Sequence, residues 1–277
     1  MEIDYFTRFL DQSTEFRVYT GDITSGDVVR NRQFADPTAE LLECVKLQLE
    51  RWSSRKENLS YENGCAAVKN LTFPSSKMEL EGNRSTVDIS VKLFLSEADT
   101  NAIHECISAV LKELEVKRID NVIVALPPLE GPKTDADSLT SQFLYIWPYL
   151  ESLITAGTVK EVGVADLQYP DLSDLVSHLS GHVLPTVNHY NMSGCCKMSE
   201  QLIEFARQHN ISLVAHCDPH PFLTARQVQE LLTGCFHIDD EVAKRWKAVY
   251  ACRYTVLEKC TSVIALQGYF VHFVKTL

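Results

Sequence analysis

NVIVALPPLEG, residues 121–131, reads as a buried strand that runs into a loop. Val122, Ile123 and Val124 are β-branched and favour extended backbone. Pro127 and Pro128 have no N–H to give a ladder, so they end the strand. In an α/β enzyme such a strand often ends in a chemically useful side chain, and here the exit residue is Leu126. Outward from this stretch, apolar runs alternate with helical periodicity. Upstream, FRVYT (16–20) is a first strand, and Asp36-Pro37 opens a helix with an acidic cap and proline at its first position. Its stripe is Leu41, Leu42, Val45, Leu49 and Trp52. VDISVKLFL (87–95) is a strand, followed by a helix with Ile103, Ile107, Val110, Leu111 and Leu114 on one face. Downstream, Pro148 suits the first turn of a helix ended by Gly157. VKEVGVADL, LPTVNHYNM and ISLVAHCDP are strands, each followed by an apolar helical stripe. After ISLVAHCDP there are two such patterns, one with Val228, Leu231 and Leu232, the other with Val242, Trp246 and Val249. TSVIALQGYFV (261–271) is the last strand.

Strand–helix alternation implies a parallel sheet covered by helices. No strand–helix turn carries G-x-G-x-x-G, which disfavours a dinucleotide-binding open sheet and puts a (β/α)8 TIM-type barrel ahead. Residues 53–86 show no strand pattern, and no closing helix is expected after the last strand. The barrel is therefore expected to be irregular or incomplete around strand 2 and at the C-terminus. With no low-complexity linker, residues 1–277 are expected to form one domain.

The chain has 277 residues, 45% hydrophobic and 23% charged, which is ordinary for a globular protein. Its net charge of −11 argues against nucleic acid and anionic membrane as partners. MEIDYFTRFLDQ has neither the cationic nor the apolar part of a signal peptide, and no apolar run approaches the ~18 residues of a membrane span. Nine cysteines without a C-x-x-C read as reduced thiols, so a cytoplasmic location is expected.

The run from Trp147 to Asp218 resembles the aldo-keto reductase family. WPYLESLITAGTVKEVGVADLQYPDL is similar to that family's W-x-x-x-E-x-L-…-G-K-V-R-x-I-G-V-S-N-F segment, LPTVNHYNM to its P-x-V-N-Q-V-E strand, and SVKLFL to its S-K-L strand. The resemblance implies a tyrosine general acid tuned by Lys, Asp and His, together with NADPH. Lys92 falls on the family's lysine, but the histidine position is Leu126, and no Asp and Tyr stand at the expected spacing; Tyr61 has no acidic residue suitably before it. Proton transfer by a positioned group contributes roughly 10²–10⁴ in rate, so little carbonyl reduction is expected. Lys92 then reads as a vestige that keeps a salt bridge or hydrogen bond. Ala165 and Asp166 replace the Ser-Asn pair that holds the nicotinamide amide, His189 replaces a glutamine, and the basic motif for the 2′-phosphate is missing. Asp166 reads more simply as a turn or helix-cap residue. No cofactor is expected.

ECVKLQLERWSS, DISVKLFL, DNVIVALPPLEG, YIWPYLESLITAG, VNHYNMSGCC, AHCDP and RYTVLEKCTSVIALQGYFV run in order from residue 43 to 271. They resemble a narrower family, the regulatory (modifier) subunits of glutamate–cysteine ligase, which share the reductase architecture without its activity. This resemblance implies a heterodimer with the ligase catalytic subunit, raising its effective affinity for glutamate and ATP and relieving feedback inhibition by glutathione. The alternative class is an atypical NADPH-dependent aldo-keto reductase using Lys92 with an acid placed elsewhere. A third is a redox-responsive scaffold for another partner. Cys195 and Cys196 are the redox or partner candidates. Neighbouring Cα atoms lie about 3.8 Å apart, below the ~4.4–6.8 Å of most disulfides, so each suits a partner elsewhere or simply stays reduced. Cys217 and Cys260 are expected to be buried as small apolar residues. His216, Cys217, Asp218 and His220 invite a zinc reading, but no second ligand cluster has recognisable spacing, so no metal is expected. Glu130, Asp135 and Asp137, beyond the proline pair, form either partner surface or a solvated loop.

Overall fold

The computed structural model describes residues 8–10, 12–25, 33–55, 59–62, 65–72, 74, 80, 84–127, 138–192 and 197–276. In chain order the elements are β1 (Glu15–Tyr19), α1 (Pro37–Arg55), β2 (Leu59–Glu62), β3 (Cys65–Lys69), β4 (Val87–Leu95), α2 (Thr100–Glu113) and β5 (Ile119–Ala125). They continue with α3 (Leu139–Thr155), β6 (Val159–Ala165), α4 (Tyr169–His178), β7 (Val187–Asn191), α5 (Glu200–Gln208) and β8 (Ser212–His216). The chain ends with α6 (Ala225–Phe236), α7 (Asp240–Ala243), β9 (Trp246–Glu258) and β10 (Ile264–Lys275).

The strands form one sheet in the order β2-β3-β1-β10-β9-β4-β5-β6-β7-β8. From β4 to β8 every pairing is parallel, and each strand hands over to a helix, as the alternation predicted. The TIM-type architecture is thus present, in irregular form. The irregularity falls where it was expected, around strand 2. Residues 53–86 hold two short strands, and β3 pairs in parallel with β1, on the side away from β4. The place between β1 and β4 is filled from the other end of the chain by the long hairpin β9–β10. β10 runs antiparallel to β1 and β9 antiparallel to β4. The sheet does not close: β2 and β8 are its edges.

Two local readings are corrected. Pro148 lies inside α3, whose cap is Ser138, not at a helix start. A proline there forfeits one helical hydrogen bond, but Phe143, Ile146, Trp147 and Leu150 are buried on both sides of it and hold the helix together. The second concerns Trp246 and Val249, which are in strand β9 and not on a helix. Only Asp240–Ala243 is helical there, because pairing with both β4 and β10 outweighs the local period.

The sheet separates two apolar layers. Val87, Ile89, Val91 and Leu93 of β4 pack with α2 to α5, while Phe94, Ile123 and Ala125 face the other way with α1 and α6. Parallel strands are normally covered on both faces for this reason. Lys92 shares the second side with Phe94, as strand alternation requires.

Candidate functional site

The fold brings Lys92, Arg253, Asp218, His216 and Asp166 into one ion cluster. Lys92 on β4 lies directly opposite Arg253 on β9. Two cations side by side in a covered sheet repel unless a carboxylate lies between them. Asp218, just beyond β8, supplies it. Lys92 Nζ donates to Asp218 Oδ2 at 2.7 Å, and the Arg253 guanidinium grips both oxygens at 2.7 and 3.2 Å. Asn191 Nδ2 donates to the Asp218 carbonyl and holds the loop in place. Lys92 and Asp218 are 4% and 2% exposed, so the pair is cut off from water.

His216 extends the cluster: its Nε2 donates to Asp166 Oδ1 at 3.1 Å, and its Nδ1 lies 3.1 Å from Asp218. Burial opposes charging this ring, yet the two carboxylates outweigh it and raise its pKa. Burial likewise opposes the Asp218 carboxylate, but His216, Arg253 and Lys92 hold its pKa far below the usual range. Lys92 is pushed down by burial, which Asp218 only partly offsets. Asp166 is a turn residue, as expected: it sits at the bend after β6 in the left-handed region (φ 65°) and turns its side chain to His216; it is not the cap, since Gln168 occupies that position of α4. His189 is pushed down to about 4 by burial, with Lys92 and His216 adding to the effect, and is therefore neutral at pH 7.

The arrangement is a closed ion cluster in which both cations are spent on one carboxylate. The salt bridge expected of Lys92 is there. Leu126 is buried at its strand exit, and His220 reaches in from the β8–α6 segment to donate from Nε2 to the Leu126 carbonyl (2.8 Å). The side chain of Tyr61, Cys195, Cys196, Glu130, Asp135 and Asp137 lie outside the described residues. Cys217 and Cys260 are exposed, correcting the expectation of burial: one follows the edge strand β8 and the other sits in the β9–β10 turn. The positions that would hold a nicotinamide do not fit it. Asp166 offers a carboxylate already committed to His216, and His189 replaces an amide side chain with a neutral ring. His216 and Asp218, two of the residues weighed for zinc, are spent on the ion cluster. A second polar cluster went unread in the sequence. His272 lies between Glu15 (2.8 Å) and Glu105 (3.1 Å), with Arg17 on Glu105 and Cys65 near by. It joins β1, β3, β10 and α2, and no local pattern announces it.

His189 gives the site a testable pH signature. A ring held neutral when folded binds more protons once unfolded, so stability falls as the pH drops from 6.5 towards about 4. Replacing it by the glutamine found in the reductases should remove that loss. At about 1.4 kcal/mol per pH unit, the stability difference between His189→Gln and the parent should change by roughly 3 kcal/mol between pH 7 and pH 4. Urea melts at both pH values measure it, and a pH-independent difference would contradict the assignment. His216, whose pKa is raised, contributes with the opposite sign, so it is kept constant in both proteins.

Residues 68–269 match the aldo/keto reductase family, and the chain belongs to that family. Within it, the chain is similar to proteins named glutamate–cysteine ligase regulatory subunit. The Homo sapiens protein is 27% identical over 265 residues, covering 95% of this chain and 93% of its own. A putative regulatory subunit of the same ligase from Schizosaccharomyces pombe is 24% identical, covering 92% and 94%. Among solved structures, an aldo-keto reductase complexed with NADPH aligns with a TM-score of 0.40 at 17% identity, over 58% of this chain and 54% of that one. No helix among the described residues is long and apolar enough to cross a membrane.

Proposed function

We propose that this chain is a regulatory subunit of glutamate–cysteine ligase with no catalytic chemistry of its own. It acts as one domain in the cytoplasm, as a heterodimer with the ligase catalytic subunit. There it raises the effective affinity for glutamate and ATP and relieves glutathione feedback in the first step of glutathione biosynthesis. It needs no cofactor, metal, nucleic acid or membrane, and Cys195 and Cys196 are its redox-sensitive partner candidates. The observation that carries this reading is the neutralised cluster. Where a reductase needs a lysine tuning a proton donor, Lys92 faces Arg253 and shares Asp218 with it. The relatives' names support the regulatory role and imply the partner. Regulation of this kind is a coupling free energy, typically about 1–3 kcal/mol, obtained by binding one state of the partner more tightly than another.

Size-exclusion chromatography of the chain mixed with purified ligase catalytic subunit tests the pairing. A stoichiometric co-eluting complex is the expected result, and separate elution at micromolar concentrations would contradict it. Titrating NADPH against the intrinsic fluorescence of the chain separates the reductase alternative. No saturable micromolar binding is expected.

A further inference from the structure

Glu15 on β1, Cys65 on β3 and His272 on β10 meet on the face of the sheet opposite Lys92. Strand register puts them there. Glu15 and Cys65 each precede the paired residues Phe16 and Ala66, and His272 pairs with Arg17, two residues on from Glu15. A ring nitrogen of His272, a carboxylate oxygen of Glu15 and Cys65 Sγ all lie within 4.8 Å of one another. Tetrahedral zinc, with bonds of about 2.0–2.3 Å, holds such atoms roughly 3.3–3.8 Å apart. The Glu15 side chain is 38% exposed and has room to close that gap. Cys65 and His272 are buried, so water reaches the site from the Glu15 side and can fill the fourth position.

The setting of His272 favours a ligand over a plain hydrogen-bonded ring. Nε2 is 2.8 Å from Glu15, whereas the buried Nδ1, 3.1 Å from Glu105, makes no aligned hydrogen bond. Buried polar atoms seldom stay unpaired. Glu105 is itself fixed by Arg17 Nε at 2.7 Å and Tyr250 Oη at 2.8 Å. A metal on Nε2 would reseat the ring with its hydrogen on Nδ1, for Glu105 to accept. That carboxylate–histidine–metal order is how ligating histidines are oriented. Binding replaces the protons at Nε2 and Cys65 Sγ, which pass to solvent. The charges then balance: the divalent ion and Arg17 face Glu15, Glu105 and one thiolate. A thiolate with an imidazole selects zinc over magnesium or calcium.

We propose that Glu15, Cys65 and His272 form a zinc site that ties β1, β3 and β10 together, where the sheet departs from barrel order. This is independent of the regulatory reading, which requires no metal.

The test is a cobalt(II) titration of the full chain, reduced and freed of metal by a chelator, with zinc as competitor. One equivalent should bind with thiolate-to-cobalt absorption in the near ultraviolet, and zinc should displace it. The band should vanish in Cys65→Ser. It should persist in the double variant Cys217→Ser/Cys260→Ser, which lacks two exposed thiols. Losing even a supporting contact costs roughly 10- to 100-fold in metal affinity, so Glu15→Gln should bind zinc at least 10-fold more weakly. Circular dichroism melts establish which variants fold. The site is wrong if the parent shows no band, if the band survives in Cys65→Ser, or if it disappears in the double variant. It is equally wrong if Glu15→Gln binds zinc as tightly as the parent, and that half-exposed position decides alone should Cys65→Ser fail to fold.

Discussion

Asp218→Ala should cost about 3–5 kcal/mol of folding stability, the range seen when one partner of a buried ion pair is removed. Among the described residues this is the one carboxylate that accepts from both Lys92 and Arg253, and each of its oxygens is occupied. Without it, the buried Lys92 and the partly buried Arg253, paired across β4 and β9, would face each other with no carboxylate between them. Lys92 escapes most readily by losing its proton, since burial already pushes its pKa down. Lys92→Met combined with Asp218→Ala should therefore recover a substantial part of the loss. Urea denaturation of the parent, the single variant and the double variant measures both quantities. A loss below 1 kcal/mol for Asp218→Ala would mean that water reaches the cluster and that it does not hold β4, β9 and the β8 exit together.

Phe16→Ala should be comparably damaging, again about 3–5 kcal/mol, as for other fully buried aromatic side chains. Phe16 has no exposed surface. It stacks on Phe273 of β10 at 4.8 Å and meets Trp246 of β9 edge-on at 5.1 Å, with Phe9 at 6.2 Å. These contacts lock the C-terminal hairpin against the first strand, so removing the ring should unfold the hairpin seam as well as leave a void. Hydrogen exchange should report the seam directly: amides of β10 paired with β1 lose protection in Phe16→Ala, while β5 and β6 keep theirs. Uniform loss across the sheet would indicate a general core defect and not a seam.

The parts of the fold that the sequence revealed are those whose physics is local. β4 to β7 pack beneath amphipathic helices, and β8, though largely exposed at the sheet edge, still carries the apolar run Leu213-Val214-Ala215, so each announces itself as an apolar run beside a stripe of period 3.6. Ser138 and Pro148 show the limit of local signals: the proline is the stronger helix-start residue on paper, but the apolar stripe on either side of it decides. β9 was misread because Val242, Trp246 and Val249 happen to fall at helical spacing, whereas its extended state is fixed by β4, from more than half the chain away. The site suffered more. Lys92 could be placed from its strand, but Asp218 lies 126 residues from it and 35 from Arg253, and only the tertiary fold, which sets the segment after β8 against β4 and β9, brings the three together. Arg253 could have been suspected from RYTV, where an arginine stands among residues that alternate into a core.

The central claim is that a reductase scaffold with its lysine neutralised serves by recognising another protein. The most direct measurement is the glutamate dependence of ligase activity for the purified catalytic subunit, with and without one equivalent of this chain. The account predicts a lower apparent KM for glutamate in the mixture, by roughly the 5- to 150-fold that such couplings span. An unchanged KM, with this chain instead reducing a carbonyl substrate at the expense of NADPH, would contradict it.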